Sequence, residues 1–156
     1  MLYRLYKPTD FAALYAIEEM CFEPPLRFGR RYMRQLVEAA DAATWIAEAD
    51  DRMAGFAIVE WAEGAAYIQT LEVLPERRGT GVGGELLRLT EGSARMAGAE
   101  LVWLHVDAEN EGAIRLYERH GYGFKSREED YYARGRAALI YAKRLEGGLD
   151  IPVSCE

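Results

Sequence analysis

The chain has 156 residues, of which half are apolar and 29% are charged, and its formal net charge is −7. This composition is typical of a folded domain with a sizeable core, and it disfavours a disordered chain, a membrane-spanning protein and unspecific binding to nucleic acid. The two cysteines, Cys21 and Cys155, and the two histidines, His105 and His120, are not spaced as metal ligands or as a disulfide framework, so we expect a cytoplasmic protein without a metal.

The N-terminal part of the chain predicts one strand followed by two helices. Leu2–Tyr6 alternates between apolar and polar residues, as a strand does, and Thr9 or Asp10 can cap the helix that follows. Adjacent prolines in the segment CFEPPLRFG end that helix, and a second amphipathic helix comes after the loop. The predicted inner faces hold Phe11, Leu14, Ile17 and Met20 in the first helix, and Tyr32, Leu36 and Val37 in the second.

Three strands come next, at Thr44–Ala49, Met53–Trp61 and Ala66–Leu74. The turn residues Asp50-Asp51 and Glu63-Gly64 separate them, which predicts antiparallel hairpins.

The second half of the chain alternates helices and strands. The glycine-rich stretch RRGTGVGGELL opens a helix that runs to about Met96, with Val82, Leu86 and Leu89 inward. The apolar run Leu101–Val106 is typical of a buried central strand. Asn110 can cap a short helix that ends at Gly121, and two late strands, at about 123–127 and 137–143, bracket the predicted turn EEDYYARG.

The order β-α-α-β-β-β-α-β-α-β-β predicts one mixed α/β domain over residues 1–145, with a single parallel βαβ crossover and helices on both faces of the sheet. Residues 146–156 are predicted to form a peripheral tail.

The glycine-rich stretch predicts a site for a phosphate-bearing ligand. Backbone amides at a helix N-terminus attract anions, and glycines let a bulky anion come close to the backbone. A nucleotide-binding P-loop is excluded, because Gly84-Glu85 stands where that motif needs Gly-Lys-Ser/Thr. The spacing Gly79-x-Gly81-x-x-Gly84 also matches the dinucleotide fingerprint, but it lies mid-chain and only one crossover follows it.

A third reading includes the arginine before the glycines. The segment from Arg78 to Gly83 fits the pattern Arg/Gln-x-x-Gly-x-Gly/Ala and resembles the acetyl-CoA diphosphate loop of the GNAT acetyltransferase superfamily. AENEGAIRLYERHGY resembles a second signature of that superfamily, and the likeness covers nearly the whole chain. It implies the GNAT fold, a mixed sheet of about seven strands. The stretches CFEPP, YIQTLEV, LHVDAEN and EDYY carry a narrower resemblance to protein N-terminal (Nα) acetyltransferases, including those that act on ribosomal-protein alanine.

The resemblance implies a set of site residues. The acetyl-CoA contacts would come from Leu71, Val73, Arg78, Gly79, Thr80, Gly81, Val82, Gly83, Gly84, Asn110 and Tyr117. Tyr117 would donate a proton to the leaving thiolate. His105 would be the base, with Tyr67 as a partner through water, and Glu72 is a further candidate for the base. The acceptor would be gripped by Phe22, Pro24, Pro25, Tyr131 and Tyr132.

Amine basicity favours a chain terminus as the acceptor. An α-amino group with a pKa of ~7.7–8.0 is about one-tenth neutral at pH 7, whereas a lysine with a pKa of ~10.4 is almost wholly charged. Because no cysteine is predicted beside the site, we expect direct transfer in a ternary complex. A small-molecule amine, such as a polyamine, amino acid or antibiotic, is the alternative acceptor. A non-catalytic acyl-CoA-binding module is a further alternative, and either a monomer or a homodimer is compatible with the sequence.

Overall fold

The computed structural model describes residues 1–145, and the predicted peripheral tail, 146–156, lies outside the described residues. The strands are β1 (Leu2–Leu5), β2 (Ala42–Ala49), β3 (Arg52–Ala62), β4 (Ala65–Val73), β5 (Leu101–Asp107), β6 (Gly123–Ala133) and β7 (Arg136–Arg144). The helices are α1 (Phe11–Cys21), α2 (Arg30–Glu38), α3 (Val82–Met96) and α4 (Glu111–Arg119). The predicted order of strands and helices is confirmed.

The seven strands form one sheet in the order β1-β2-β3-β4-β5-β7-β6. Only β4 and β5 pair in parallel, and α3 makes the crossover between them. Their pairing covers Ala65–Ile68 against Leu101–Leu104 and then ends, although both strands continue. Gln69 is an extra residue in β4, because Ile68 and Thr70 oppose consecutive residues of β3. Such a bulge bends a strand, and a wedge therefore opens between β4 and β5.

Helices cover both faces of the sheet. On one face, Phe11, Leu14 and Met33 from α1 and α2 pack on Phe56 and Ile58 of β3. On the other face, α3 places Val82, Leu86 and Leu87 against the sheet, and α4 adds Tyr117. The wedge is thus held open by two rigid layers, which makes it a stable position for a site.

The predicted inner faces of the helices need three corrections. Met20 is 62% exposed, because at 3.6 residues per turn three steps of three residues place it roughly opposite Phe11. Tyr32 is also exposed and packs edge-on against Phe28, while the neighbouring Met33 is buried. Leu89 is half-buried, whereas Leu86, Leu87 and Thr90 are fully buried, because α3 contacts both the sheet and the region of α4.

The turn predicted at EEDYYARG is shorter than expected, because most of these residues belong to β6. Strand β6 continues to Ala133, and the tight turn to β7 is made by Arg134 and Gly135, with Gly135 at a φ of +79°. The pairing of β6 with β7 shifts register between Glu128 and Ala133, and Asp130 has a positive φ of 54°. This irregular part of an exposed edge strand carries both predicted acceptor tyrosines.

Candidate active site

The glycines at the start of α3 have two different structural reasons. Gly79 and Gly81 have positive φ values of 75° and 93°, which favour glycine, and Gly81 is the N-cap of α3. A Cβ atom on Gly84 would lie 2.8 Å from Nε2 of His120, and one on Gly83 would lie 3.1 Å from Leu116. Gly79 and Gly81 therefore shape the loop, whereas Gly83 and Gly84 let α4 approach the N-terminus of α3.

A cavity of about 990 Å³ lies between this loop, the end of β4 and α4. The predicted cofactor residues that line it are Leu71, Val73, Arg78, Gly79, Gly81, Gly83, Gly84 and Asn110, and Glu72, a predicted candidate for the base, lines it as well. Thr80 instead donates its hydroxyl hydrogen bond to the Arg77 carbonyl, and the side chain of Val82 is in the core. Asn110 also caps α4 through a 3.1 Å bond from the Ala113 amide.

Further cations line the same cavity, and the sequence analysis did not select them. They are Arg88, Arg115, Arg119 and Lys143. His120, predicted to cap a helix or lie at the surface, is the C-cap of α4 and also lines the cavity. Backbone amides at a helix N-terminus, glycines without Cβ atoms and an excess of cations fit the diphosphate of coenzyme A, although Glu85 and Glu91, which pair with Arg88 and Lys143, line the same cavity.

Cys21 corrects a prediction. No cysteine was expected beside the site, yet Cys21 lines the large cavity, and Arg78 donates to its sulfur at 3.5 Å and to the Val73 carbonyl at 2.9 Å. The sequence could not place Cys21 there, because it ends a helix far from the glycine loop in the chain. Burial, and next the charge of Glu72, raise the pKa of the Cys21 thiol, so the unreactive protonated form is favoured.

A second cavity of about 90 Å³ lies at the wedge, lined by His105, Asp107, Tyr117 and Tyr132 among others. Phe22, Leu71, Asn110 and Ala113 line both cavities, so the two spaces are neighbours. The wedge therefore has a large and a small cavity side by side.

His105 is the centre of a hydrogen-bonded chain at the wedge. Its Nδ1 lies 2.8 Å from the Tyr67 hydroxyl, and its Nε2 lies 3.0 Å from Oε1 of Glu128. The Tyr131 ring stacks on the imidazole at a centroid distance of 4.1 Å. Burial, and next the neighbouring Tyr131, raise the pKa of the Tyr67 hydroxyl. The sequence analysis missed Glu128, because it ended β6 one residue earlier.

Glu72 lies below the wedge beside a second buried acid, Glu18; the two are 3% and 1% exposed. One oxygen of Glu72 accepts from Thr70 and one of Glu18 accepts from the Phe28 amide. Burial, and next the hydrogen bond and charge of Glu18, raise the pKa of Glu72 to about 10. A carboxyl that holds its proton at neutral pH is a poor base, which favours His105 over Glu72 in that role.

Tyr117 is buried in α4 and lines the small cavity, with its ring edge-on to Tyr122. Burial, and next the charge of Glu72, raise the pKa of the Tyr117 hydroxyl, so it keeps its proton in the free protein.

The residues predicted to bind the acceptor do not all lie at the small cavity. Phe22 and Tyr132 line the small cavity and Tyr131 covers His105, whereas Pro24 and Pro25 are exposed and line neither cavity. Within residues 1–145, no group of three or more His, Cys, Asp or Glu is placed to hold a metal ion. None of the helices there is both long and apolar enough to cross a membrane.

Comparison with known proteins supplies the family. The model of the acetyltransferase (GNAT) family matches residues 11–122. Streptothricin acetyltransferase of Streptomyces lavendulae is 40% identical over 90 residues, covering 56% of this chain and 48% of the enzyme. The ribosomal protein bS18-alanine N-acetyltransferase of Salmonella typhimurium is 36% identical over 84 residues, covering 54% and 57%. The chain therefore spans about half the length of these two relatives.

A solved structure extends the likeness over the whole fold. The ribosomal-protein-S18-alanine N-acetyltransferase of Escherichia coli superposes with a TM-score of 0.82 at 23% identity, over 96% of this chain and 97% of that one. The family match favours an acetyltransferase over the alternative of a non-catalytic binding module. The chain belongs to the acetyltransferase (GNAT) family.

Proposed function

We propose that the protein transfers the acetyl group of acetyl-CoA to the α-amino group of a peptide or protein N-terminus. The observation that carries the proposal is the wedge between β4 and β5, where the cavity of the glycine loop adjoins the cavity that holds His105 and Tyr117. Donor and acceptor can approach from opposite sides of such an opening. Holding two reactants in this way replaces an encounter in solution by a step within one complex.

The large cavity would hold the donor. The GNAT family uses acetyl-CoA, which supplies a thioester when bound. The loop from Arg78 to Gly84 would hold the diphosphate, with Asn110 and Tyr117 along the rest of the ligand. Leu71 and Val73 would contribute backbone groups, because beyond Ile68 the edge of β4 that faces β5 is not paired in the described part of the sheet.

The small cavity would hold the acceptor. His105 and Tyr67 would remove a proton from the amine, and Tyr117 would protonate the leaving thiolate. A free imidazole has a pKa of ~6.5 and suits proton removal from an α-amine at neutral pH. Phe22, Tyr131 and Tyr132 would contact the first residues of the acceptor, with Pro24 and Pro25 in the adjoining loop.

Direct transfer remains the proposed course although Cys21 lines the donor cavity. A covalent route would need a thiolate, and the raised pKa of this thiol disfavours that form. Direct transfer is therefore proposed because the Cys21 thiol keeps its proton, and not because the site lacks a cysteine.

A small-molecule amine is the second candidate acceptor. The 40% identity with streptothricin acetyltransferase favours it, since that relative is named for a small molecule. The two candidates differ in whether a peptide must fill the cavity beside Tyr131 and Tyr132.

A competition experiment separates the two candidates. The protein is incubated with acetyl-CoA and peptides of varied first residue, the same peptides with a formylated N-terminus and an internal lysine, and a panel of small amines. Mass spectrometry then locates the acetyl groups. Acetylation of free N-termini supports the proposal, whereas labelling only of lysines or small amines overturns it.

A further inference from the structure

We propose that Glu128 positions His105 and forms the solvent end of a proton path that runs from Tyr67 through His105. The inference rests on the proposed function, because the path would carry the proton that the acceptor amine releases. Glu128 belongs to none of the site residues implied by the resemblance, and only the folded chain brings it to His105.

Both ring nitrogens of His105 lie within hydrogen-bond distance of a side chain. Nδ1 lies 2.8 Å from the Tyr67 hydroxyl and Nε2 lies 3.0 Å from the Glu128 carboxylate. An ionised carboxylate only accepts hydrogen bonds, so Nε2 carries the hydrogen and Nδ1 accepts from Tyr67. Tyr67 lines neither cavity, whereas His105 lines the small one, so the acceptor amine would reach the Tyr67 hydroxyl from that cavity and His105 would act through it.

Glu128 is the most exposed member of the proposed path. The Tyr67 side chain is half-buried at the wedge, the His105 side chain is 10% exposed, and that of Glu128 is 46% exposed. Tyr131 stacks on the imidazole and separates it from solvent on that side. Glu128 is thus the member of the chain that can exchange a proton with bulk water.

The irregular part of β6 holds Glu128 and Tyr131 together on His105. Glu128 is the last residue in regular register with β7, opposite Ala138, and the bulge begins immediately after it. The Asp130 carboxylate accepts from the Gly135 amide at 2.6 Å and fixes the bulge. A straight strand would send Glu128 and Tyr131 to opposite faces of the sheet, because their separation is odd.

The path balances the protons of the reaction. Starting from the ammonium form, the nitrogen loses one proton to the Tyr67 oxygen as Tyr67 passes its own proton to Nδ1. His105 passes the Nε2 proton to Glu128, and Glu128 releases it to water. The amine nitrogen then bonds to the acetyl carbon and the carbon–sulfur bond breaks. The nitrogen loses its second proton and the departing thiolate gains one, so this step releases no further proton. No oxidant or further reactant is needed.

The hydrogen bond itself is tested without turnover. In ¹⁵N-labelled protein, the Nε2–H signal of His105 is expected to be visible by NMR in the wild type and in Glu129→Ala. Glu129 is the matched control, since it is an adjacent exposed carboxylate paired with Arg127. The signal is expected to be lost in Glu128→Ala, and its persistence there would overturn the proposed contact.

The proton path is tested by rescue. Glu128→Ala is expected to lower kcat by about 10–100-fold, by analogy with the carboxylates that orient metal-binding histidines, with little change in KM for either substrate. Glu128→Asp should recover part of the loss. Sodium formate or acetate should restore kcat of Glu128→Ala in proportion to its concentration, whereas sodium chloride at equal ionic strength should not.

The two proposals fail separately. Absence of acetyl transfer by the wild type to every amine would overturn the proposed function. Transfer by the wild type with an unchanged kcat in Glu128→Ala, or a loss that carboxylates do not rescue, would overturn the role of Glu128. Circular dichroism of each variant checks that it folds. Because Glu128 is exposed, we expect its substitutions to leave the fold intact.

Discussion

Single residues at the wedge owe their chemistry to burial. One oxygen of Glu18 accepts from the Phe28 amide and one of Glu72 accepts from the Thr70 hydroxyl, and the two buried carboxyls are close enough to share a further hydrogen bond. Two buried carboxylates cannot both remain ionised side by side, so one proton stays with the pair, and the raised pKa of Glu72 assigns it to that residue. The pair joins α1 to β4 beneath the site.

The protonated Glu72 predicts a pH-dependent stability. Its folded pKa of about 10 lies above its ordinary value of 4.5, so the folded chain binds more protons than the unfolded chain between these pH values. The free energy of unfolding therefore falls as pH rises through that range, by at most about 1.4 kcal/mol per pH unit for one proton. Glu72→Gln, a neutral isostere, should show a smaller fall between pH 6 and about 9 in urea denaturation.

The control for this prediction is Glu76→Gln, since Glu76 is exposed. It should follow the wild-type dependence on pH. Parallel curves for Glu72→Gln and the wild type would contradict the assignment of the proton.

At the scale of elements, the start of α3 carries the proposed donor site. Gly81 caps the helix in the left-handed region, at a φ of 93°. Gly92, in the same helix, has ordinary helical geometry, and a Cβ atom there would meet nothing within 4 Å. Substitutions at Gly81 and Gly92 therefore separate a change in the loop from a change in the helix.

We expect opposite results from two alanine substitutions in α3. Gly81→Ala should lower the free energy of unfolding by about 1–2 kcal/mol, because an L-residue is strained in the left-handed region, and it should weaken coenzyme A binding. Gly92→Ala should raise stability by about 0.5–1 kcal/mol and leave binding unchanged. Urea denaturation and calorimetric titration measure the two effects. Equal coenzyme A affinity in both variants would remove the loop from the donor site.

At the scale of the whole molecule, the cations around one cavity contrast with the net charge of −7. The cavity takes its walls from β4, α3 and α4 together with the end of α1. A ligand that fills it contacts all of these elements in the folded state and none of them in the unfolded chain.

Coenzyme A is therefore expected to stabilise the whole fold. At 100 times its Kd it should add about 2.7 kcal/mol to the free energy of unfolding, which corresponds to a rise in Tm of roughly 5–10 °C for a domain of this size. Thermal denaturation with and without ligand measures the rise. Pantetheine, which lacks the diphosphate, should have a much smaller effect, and an equal effect would argue against the proposed loop contacts.

The sequence alone determined the fold class, the order of the elements and the glycine loop. These features are local, because apolar periodicity reports one face of a helix or strand, and glycine spacing reports the backbone of one turn. The periodicity was misleading at Met20 and Tyr32, where a short helix gives few repeats from which to fix the angle of its inner face. It also ended β6 too early, since that edge strand is exposed and polar along most of its length.

Only the tertiary structure decided which side chains meet. Arg78 reaches Cys21 across 57 residues of chain, and His105 reaches Glu128 across 23. The buried pair of Glu18 and Glu72 likewise depends on α1 packing against β4. Such contacts depend on strand order, on the bulges in β4 and β6 and on the packing of helices on the sheet. A pattern with a period of two or 3.6 residues does not carry that information, because it fixes which face a residue occupies and not what lies opposite.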